Sequence, residues 1–536
     1  MSTASPDRTG APSLPQPQGH PQRWLILGVI CLAQLTVLLD NTVLNVAIPS
    51  LTRELHAATS DIQWMINAYS LVQSGLLLSA GSAADRYGRK KMLIAGLALF
   101  GAGSLVAGLA QSTGQLIAAR AGMGVGGALL LTTTLAVVMQ IFTPDEHPKA
   151  IGIWSAVSAL GFAAGPLIGG FVLNHFWWGA IFLINLPVAA LGLVAAVVLV
   201  PESKAARAPR PDPGPAAAPG PAAAPGSPDP GSGPGRPDRP DLLGALLSTV
   251  GMAALVYAII SGPTHGWTSA RVLGTAGAAV VVLAVFARHE SRTPYPMLDM
   301  HFFRDRRFTG AVSGAVLIAF GMGGSLFLLT QHLQFVLGYG PLEAGLRTAP
   351  LALTVVVLNF SGLGARATVK LGTPVSILLG MVLLSGGLVS IALLTEHGYA
   401  GTLLGLLLIG AGTALAGPAM AHAIMSAIPP AKAGVGAGVN GTLAEFGNGL
   451  GVAVLGAVLT SRFAALVPVA ATSLPAALAA AHDGAERDRV LDAYASGLST
   501  SQLAGAAAVL LGGVLAAALL RRAERADSEV AAEAGA

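Results

Sequence analysis

The sequence has little charge and almost no cysteine. Only 10% of its 536 residues are Asp, Glu, Lys or Arg, and Cys31 is its one cysteine. A lone cysteine excludes an internal disulfide and a metal site built from several thiolates. The sequence also lacks the G-x-x-x-x-G-K-[ST] phosphate loop and the H-E-x-x-H zinc motif. We therefore expect no enzyme, no metal and no cofactor, and no direct use of ATP by this chain.

Apolar residues, by contrast, make up 53% of the chain and occur in long runs. Each run has about 20 residues, the length that an α-helix needs to cross a bilayer. Fourteen such runs predict an all-α integral membrane protein with both termini on one side. Their approximate bounds are 24–48, 62–84, 91–110, 115–140, 149–173, 179–200, 241–260, 271–288, 309–335, 343–363, 373–394, 401–425, 435–460 and 500–520.

The basic residues indicate the orientation. With the N-terminus in the cytoplasm, 23 of the 30 Lys and Arg residues fall in cytoplasmic segments and six fall outside. Lys and Arg concentrate in the cytoplasmic loops of membrane proteins, so both termini are expected in the cytoplasm. The same asymmetry accounts for the formal net charge of +4, and no nucleic-acid partner is expected.

Residues 201–240 interrupt the apolar pattern with thirteen of the chain's 34 prolines, which predicts a cytoplasmic linker. The predicted divisions are a disordered cytoplasmic tail (1–22), an N-terminal six-helix half (23–200), the linker (201–240), inserted helices 7 and 8 (241–290), a C-terminal six-helix half (291–522) and a second cytoplasmic tail (523–536). A weak repeat supports the two halves, because the eight-residue spacing of Gly88 and Gly96 returns at Gly372 and Gly380.

The segment from Gly81 to Leu93, GSAADRYGRKKML, has five charges within seven residues and lies between two apolar runs. So short and basic a turn predicts a cytoplasmic loop held against the membrane surface. Gly81 would let two helices approach closely, and Gly88 would let the chain turn where a side chain would clash. A generic basic loop is the alternative. The residues of interest are Gly81, Asp85, Arg86, Gly88 and Arg89.

Two ionisable residues lie inside apolar runs of the N-terminal half. Asp40 stands in DNTVLNVAIP, and Arg120, in LIAARAGMGVGGA, is the one basic residue within a predicted span. Buried charges are costly in a membrane and usually serve a function. At a rise of about 1.5 Å per residue, both fall in the outer half of the membrane at similar depth and could form an ion pair. The alternatives for Asp40 are a permanent structural pair and a helix-end position in water.

Glu445, in NGTLAEFGNGLG, lies near the midplane of its span and shares a helix face with Gly441, Asn448 and Gly449. A midplane carboxyl beside small residues is suited to binding a proton or a cation. A structural carboxyl bonded to a neighbouring helix is the alternative. Four side chains are candidates for lining a substrate path, with packing roles left open: Asn45, Trp64, Tyr69 and Asn448.

The segment from residue 161 to 170, GFAAGPLIGG, places four glycines and a proline at fixed spacing. Glycines on one helix face permit close packing against a partner, and proline bends a helix. We therefore predict a smooth, bent helix pressed on a neighbour. The residues of this pattern are Gly161, Gly165, Pro166, Gly169 and Gly170.

Four of these segments, LLDNTVLNVAIP, GSAADRYGRKKML, LIAARAGMGVGGA and GFAAGPLIGG, resemble in order and position the motifs of the fourteen-span drug:proton antiporters of the major facilitator superfamily. The resemblance covers about residues 24–520. It implies the major facilitator fold. It also implies that the GSAADRYGRKKML loop gates the conformational switch, that Arg120 assists proton coupling, and that Asp40 and Glu445 bind proton and substrate. GFAAGPLIGG resembles the motif associated with antiporters rather than uptake porters.

The function expected from this resemblance is export of small amphipathic drugs or antibiotics, driven by the proton gradient, with alternating access between the halves. The expected location is the bacterial cytoplasmic membrane. The expected partners are the substrate, protons and membrane lipids, and the protein is expected to be a monomer. The alternatives are a dedicated exporter of one endogenous metabolite or antibiotic and a non-transporting membrane sensor. Buried Asp40, Arg120 and Glu445 count against the sensor, because a scaffold gains nothing from buried charge.

Overall fold

The fold is described from a computed structural model of the chain. The described residues are 21–143, 146–202, 241–293, 296, 298, 300–394, 398–428, 433–467 and 474–535. The predicted N-terminal tail, apart from residues 21 and 22, and the predicted linker, apart from residues 201 and 202, lie outside the described residues.

All regular elements of the described chain are helical, as a membrane helix satisfies its backbone hydrogen bonds within one segment. The α-helices are α1 (Arg23–Glu54), α2 (Thr59–Tyr87), α3 (Arg89–Gly108), α4 (Thr113–Ile141), α5 (His147–His175), α6 (Ala180–Leu183), α7 (Asn185–Leu199), α8 (Leu242–His265), α9 (Ala270–Glu290), α10 (Arg306–Gln331), α11 (Pro341–Phe360), α12 (Leu363–Leu371), α13 (Thr373–Leu394), α14 (Tyr399–Ser426), α15 (Ala433–Leu466), α16 (Leu474–Ala480) and α17 (Gly484–Gly535). A π-helical turn, His332–Val336, follows α10.

Twelve helical segments of the described chain are long and apolar enough to cross a membrane. The helices α2 and α5, with 29 residues each, occupy the positions of the second and fifth predicted spans but are not among these twelve. The all-α membrane architecture is therefore confirmed. The count of fourteen spans and the side on which the termini lie stay predictions.

Two predicted spans have a different shape in the structure. The span expected at 179–200 is divided between α6 and α7, next to Pro187, since proline lacks the N–H that a continuous helix needs. The span expected at 500–520 is part of α17, which runs from Gly484 to Gly535. The ends of α17 are rich in Ala, Arg and Glu, which favour helix, and the helix contains no proline. The predicted tail from residue 523 is therefore helical as far as residue 535.

Gly88 forms the turn that the sequence predicts. It lies between α2 and α3 with φ of 113°, a conformation that favours glycine. Gly372, its predicted counterpart, has φ of 82° and lies directly before α13. The second half differs from the first in having the short helix α12 before its glycine turn. Gly362, with φ of 68°, directly precedes α12. The two halves thus have a glycine turn at the same place in their helical order.

The inserted helices α8 and α9 pack on each other, and α8 also contacts α2 and α15. Leu71 of α2, Val256 of α8 and Ala453 of α15 belong to one small apolar cluster. Ser79 of α2 donates a hydrogen bond to the carbonyl oxygen of Asp241, just before α8 (3.3 Å). α8 therefore covers the seam at which the two halves meet along α2 and α15.

That seam positions the polar side chains of α2. Gln63 donates to the Val452 carbonyl of α15 (3.2 Å), and Thr442 of α15 donates to the Ser74 carbonyl of α2 (3.3 Å). These bonds lie three turns apart on α2 and hold the two helices together along their length. Glu445 lies on α15 between them, so it is at the boundary between the halves.

Candidate functional site

A buried ion pair lies in the N-terminal half. The Arg120 guanidinium on α4 forms a salt bridge with the Asp40 carboxylate on α1, and the two residues are 1% and 4% exposed. Arg120 Nε also donates to the Met65 carbonyl oxygen of α2 at 3.0 Å. The pairing inferred from similar depth in the membrane is therefore present, and three helices contribute to it.

Asn185 completes the surroundings of this pair. Its Nδ2 atom donates to Asp40 Oδ1 (3.4 Å) and to the Ser104 hydroxyl oxygen (3.3 Å). Asn185 is the first residue of α7, so the division between α6 and α7 sets its position. Sequence analysis missed this residue, although an asparagine two positions before a proline in an apolar run was a usable signal.

Tyr69 of α2 packs on the ion pair. Its ring centroid lies 4.3 Å from Arg120 Cζ, and the ring meets Phe100 of α3 edge-on at 6.5 Å. A guanidinium over an aromatic face is a favourable cation–π contact, and it is stronger where water is excluded. Arg120 therefore has a carboxylate, a carbonyl oxygen and an aromatic ring as partners, and its charge is well compensated.

Glu445 of α15 has different surroundings. Ser70 of α2 is its hydrogen-bonding neighbour, and Arg120 acts on it through charge alone. Its Oε2 atom is buried and has no hydrogen-bond partner among the described residues. Glu445 thus brings a carboxyl to the boundary between the halves without an adjacent cation, an arrangement that can take up a proton or a substrate group.

The basic loop between α2 and α3 fixes other helices of the N-terminal half. Arg89 donates to the Ala136 carbonyl oxygen of α4 (3.0 Å), and Lys90 donates to the Val197 carbonyl oxygen of α7 (2.7 Å). Val197 belongs to the last turn of α7, where carbonyl groups lack partners within the helix. The loop therefore joins the ends of four helices.

Three other residues of this loop are placed as follows. Arg86 stands over the neighbouring Tyr87 ring at 5.5 Å. The backbone of Asp85 lies in the last turn of α2, but its side chain lies outside the described residues. The expectation that Gly81 permits a close helix approach is wrong, since a Cβ there would lie 3.9 Å from its nearest neighbour, Thr132 Cγ2, an ordinary contact. Alanine would fit at that position.

The GFAAGPLIGG segment lies on α5 and packs closely on a neighbouring helix as predicted, and that neighbour is α1. A Cβ on Gly161 would lie 3.0 Å from Leu35 Cδ1, and one on Gly169 would lie 2.9 Å from Val43 Cγ1. A Cβ on Gly165 would overlap the Thr42 side chain. These distances are shorter than ordinary contacts of a Cβ, so the glycines permit the close approach of α5 and α1.

The same segment also contacts the C-terminal half. A Cβ on Gly170 would lie 2.6 Å from Leu342 Cα and 2.7 Å from the Pro341 carbonyl oxygen, both in the first turn of α11. In return, a Cβ on Gly345 of α11 would overlap the Pro166 carbonyl oxygen. The backbones of α5 and α11 are therefore in direct contact at these glycines. The segment is thus a contact between the halves as well as a packing face for α1.

Of the other lining candidates, Trp64 packs on Tyr257 of α8, with 6.1 Å between the ring centroids. Asn448 lies against α10, where a Cβ on Gly323 would overlap its side chain. Asn45 is half-buried on α1 and has no hydrogen bond among the described residues. No described contact joins these three side chains to the Asp40–Arg120 pair. Tyr69 is the one lining candidate that the structure places on the pair.

The described residues contain no group of three or more His, Cys, Asp or Glu side chains that could hold a metal ion. The ionisable groups of the candidate site are therefore the Asp40–Arg120 pair and Glu445. Together with Tyr69 and Asn185, they occupy the interior of the N-terminal half and its boundary with the C-terminal half.

Comparison with known proteins agrees with this architecture. The family model of the Major Facilitator Superfamily matches residues 30–452. The chain is 34% identical to the multidrug resistance protein Stp of Mycobacterium tuberculosis, over 80% of this chain and 74% of that protein. It is 31% identical to the tetracenomycin C resistance and export protein of Streptomyces glaucescens (87% and 82% covered) and 32% identical to the multidrug efflux pump LfrA of Mycolicibacterium smegmatis (93% and 96%).

Two solved structures share the fold. A peptide transporter POT in complex with sulfate aligns with a TM-score of 0.63 at 15% identity, covering 96% of this chain and 97% of that one. A bacterial homologue of the human lysosomal transporter Spinster aligns with a TM-score of 0.62 at 17% identity, covering 94% and 98%. The chain therefore belongs to the major facilitator superfamily and is a multi-pass transporter of the bacterial cytoplasmic membrane.

Proposed function

We propose that this transporter exports small amphipathic molecules, such as drugs or antibiotics, in exchange for protons. The observation that carries the proposal is the position of Glu445, which lies between the halves with a carboxylate oxygen unpartnered among the described residues. The names of three relatives, which refer to multidrug resistance, antibiotic resistance and export, and multidrug efflux, support the direction of transport. The proton gradient supplies the energy, so no cofactor takes part.

The surroundings of Glu445 suit competition between a proton and a substrate. A carboxylate without an adjacent cation is costly inside a membrane. It is stabilised either by taking up a proton or by receiving hydrogen bonds or positive charge from a bound molecule. A carboxyl that has taken up a proton no longer offers its negative charge to a substrate, so proton binding and substrate binding exclude each other at Glu445. Proton entry from outside then releases the substrate outward, and loss of the proton to the cytoplasm prepares the site for the next molecule.

In this proposal Asp40 and Arg120 keep the interior of the N-terminal half neutral and fixed, and Glu445 carries the exchanged proton. The α5–α11 contact at Gly170 and Gly345 closes the predicted outer side. The basic loop between α2 and α3 organises the predicted inner side. Alternating access follows from rocking of the two halves within one chain, so a monomer is sufficient.

The test uses everted membrane vesicles with an acidified lumen and a pH-reporting dye. Candidate drugs are added to vesicles that contain the wild type, Glu445→Gln or Asp40→Asn. A matched control is Glu343→Gln, the same change at a carboxyl that is 48% exposed and pairs with Arg347 (2.8 Å). We expect substrates to alkalinise the lumen with the wild type and with Glu343→Gln, and not with Glu445→Gln.

Other outcomes separate the alternatives. An unchanged response in Glu445→Gln, together with loss of the response in Asp40→Asn, would keep the antiport and move its proton to Asp40. A wild-type response to a single compound of a broad panel would indicate a dedicated exporter. A wild type that responds to no compound contradicts the proposal of drug export.

A further inference from the structure

Three buried side chains of α2 have polar atoms without a hydrogen-bond partner in the described chain. They are Asn67 through Oδ1, Tyr69 through its hydroxyl, and Gln73 through both amide atoms, and each residue is 0% exposed. The Tyr69 hydroxyl and the Gln73 side chain also interact with each other, at a geometry outside the normal limits of a hydrogen bond. Buried polar groups are nearly always paired, since an unpaired one costs free energy. Three such residues within two helical turns therefore mark a place where another molecule supplies the partners.

Glycines pack directly against these groups on both sides of α2. A Cβ on Gly127 of α4 would lie 2.7 Å from the Tyr69 hydroxyl oxygen and 2.8 Å from Gln73 Nε2. A Cβ on Gly449 of α15 would lie 2.5 Å from Asn67 Oδ1. Any larger residue at either position would press on a polar atom. The close approach of α4 and α15 to this polar strip, defined as Asn67, Tyr69 and Gln73, thus depends on glycine.

The balance of charge around the polar strip is close to neutral. Arg120 compensates Asp40, and Glu445 is held near the strip by Ser70. Glu445 contributes one unpartnered oxygen, whereas the strip contributes four uncharged unpartnered atoms. The unpartnered polar atoms of the strip and of Glu445 are therefore mostly neutral hydrogen-bond donors and acceptors.

We propose that Asn67, Tyr69 and Gln73 form a hydrogen-bonding subsite that selects amphipathic substrates with hydroxyl and carbonyl groups on an aromatic body over lipophilic cations without such groups. This inference rests on the proposed export function. The Tyr69 hydroxyl and the Gln73 amide can donate to a substrate carbonyl, and Asn67 Oδ1 can accept from a substrate hydroxyl. A molecule that lacks these groups leaves the strip unpaired in the complex, and sites built for hydrogen bonding discriminate strongly against such molecules.

The test compares two probes, a dihydroxyanthraquinone and tetraphenylphosphonium, by their uptake into everted vesicles under the same proton gradient. The variants are Tyr69→Phe, which keeps the ring on Arg120 and removes only the hydroxyl, and Gln73→Leu. Gln63→Leu is the matched control on the same helix, since the Gln63 amide already donates to the Val452 carbonyl oxygen (3.2 Å).

We expect the wild type to take up the quinone faster than the phosphonium. Tyr69→Phe and Gln73→Leu should each lower the ratio of quinone to phosphonium uptake by about threefold to tenfold, the effect of one lost hydrogen bond. Gln63→Leu should change both rates by the same factor. A wild type that exports the phosphonium at least as well as the quinone, or an unchanged ratio in both strip variants, overturns the subsite while export stands. A wild type that takes up neither probe and no other drug overturns the export function and the subsite together.

Discussion

Asp40 and Glu445 are both carboxylic acids within apolar helices, but their surroundings are opposite. Asp40 accepts from Arg120 and Asn185 and lies within a single half of the protein. Glu445 has a serine neighbour, lies between the halves and keeps an oxygen unpartnered in the described chain. One carboxyl is therefore compensated by a neighbouring cation, whereas the other has no cation beside it among the described residues.

This difference assigns separate tasks to the two carboxyls. A buried ion pair contributes little net stability, but removal of one partner is strongly destabilising because the remaining charge is uncompensated. A carboxyl without a cation has no such partner to lose. The comparison therefore predicts a large structural effect at the pair and a small one at Glu445, where the effect is functional instead.

The largest stability effect is expected for Arg120→Met. The substitution leaves the Asp40 carboxylate buried without its cation and should lower the free energy of unfolding by about 3–5 kcal/mol. Thermal unfolding of the purified protein in detergent, followed by size-exclusion fluorescence, measures it. The double variant Asp40→Asn with Arg120→Met should recover a large part of the loss. If Arg120→Met alone were as stable as the wild type, Asp40 would not depend on Arg120 for compensation of its charge.

A smaller effect is expected for Asn185→Ala. This change removes one hydrogen bond to the charged Asp40 carboxylate, which is worth about 1.5–3 kcal/mol. The same unfolding assay measures it. In an Asp40→Asn background the substitution should cost less, because the acceptor is then neutral. Equal costs in the two backgrounds would indicate that Asn185 acts through packing at the start of α7 and not through Asp40.

For Glu445→Gln we expect a change in the free energy of unfolding of less than about 1 kcal/mol, since no ion pair is broken and a neutral amide replaces a carboxyl. The variant should express and unfold as the wild type does while its coupled transport is lost. A loss of stability as large as that of Arg120→Met would contradict the contrast between the two carboxyls.

The smallest effect is expected at an ion pair in contact with water. Arg23 Nε lies 2.9 Å from Glu146 Oε2 at the start of α1, and both side chains are partly exposed. The hydrogen bond from Arg23 lowers the pKa of Glu146 below its usual 4.5. The stabilisation is therefore present above the usual carboxyl pKa and is lost as the pH falls through the lowered one.

Arg23→Gln should accordingly lower the unfolding temperature slightly at pH 7, and the difference from the wild type should vanish in strong acid and in high salt. The Asp40–Arg120 pair, buried away from ions, should not respond to salt. If the difference in unfolding temperature between Arg23→Gln and the wild type did not change with salt, the Arg23–Glu146 pair would also be shielded from water.

Much of the site could be predicted from the sequence because membrane depth and helix spacing are local properties. The positions of Asp40 and Arg120 along their spans sufficed for the hypothesis that they could pair, and the structure contains the pair. The spacing of Gly161, Gly165 and Gly169 sufficed to predict a close-packed face. The turn at Gly88 followed from its place between a basic loop and two apolar runs.

The remaining contacts depend on which helices become neighbours, and no local pattern determines this. Asn185 is 145 positions from Asp40, and its contact requires the division between α6 and α7. Trp64 packs on Tyr257 because an inserted helix covers the seam of α2 and α15. Gly81 lies in a glycine-rich segment, but its neighbour on α4, Thr132, stays at ordinary distance.

The central claim, that a proton and a substrate compete for Glu445, is tested most directly by proton release on binding. A substrate identified in the vesicle assay is added to the purified transporter in weakly buffered detergent solution with a pH-sensitive dye. The account predicts that substrate binding releases protons from the wild type and from Asp40→Asn protein that size-exclusion chromatography shows to be folded, and that Glu445→Gln releases none. Proton release that persists in Glu445→Gln, or that disappears in folded Asp40→Asn alone, would contradict it.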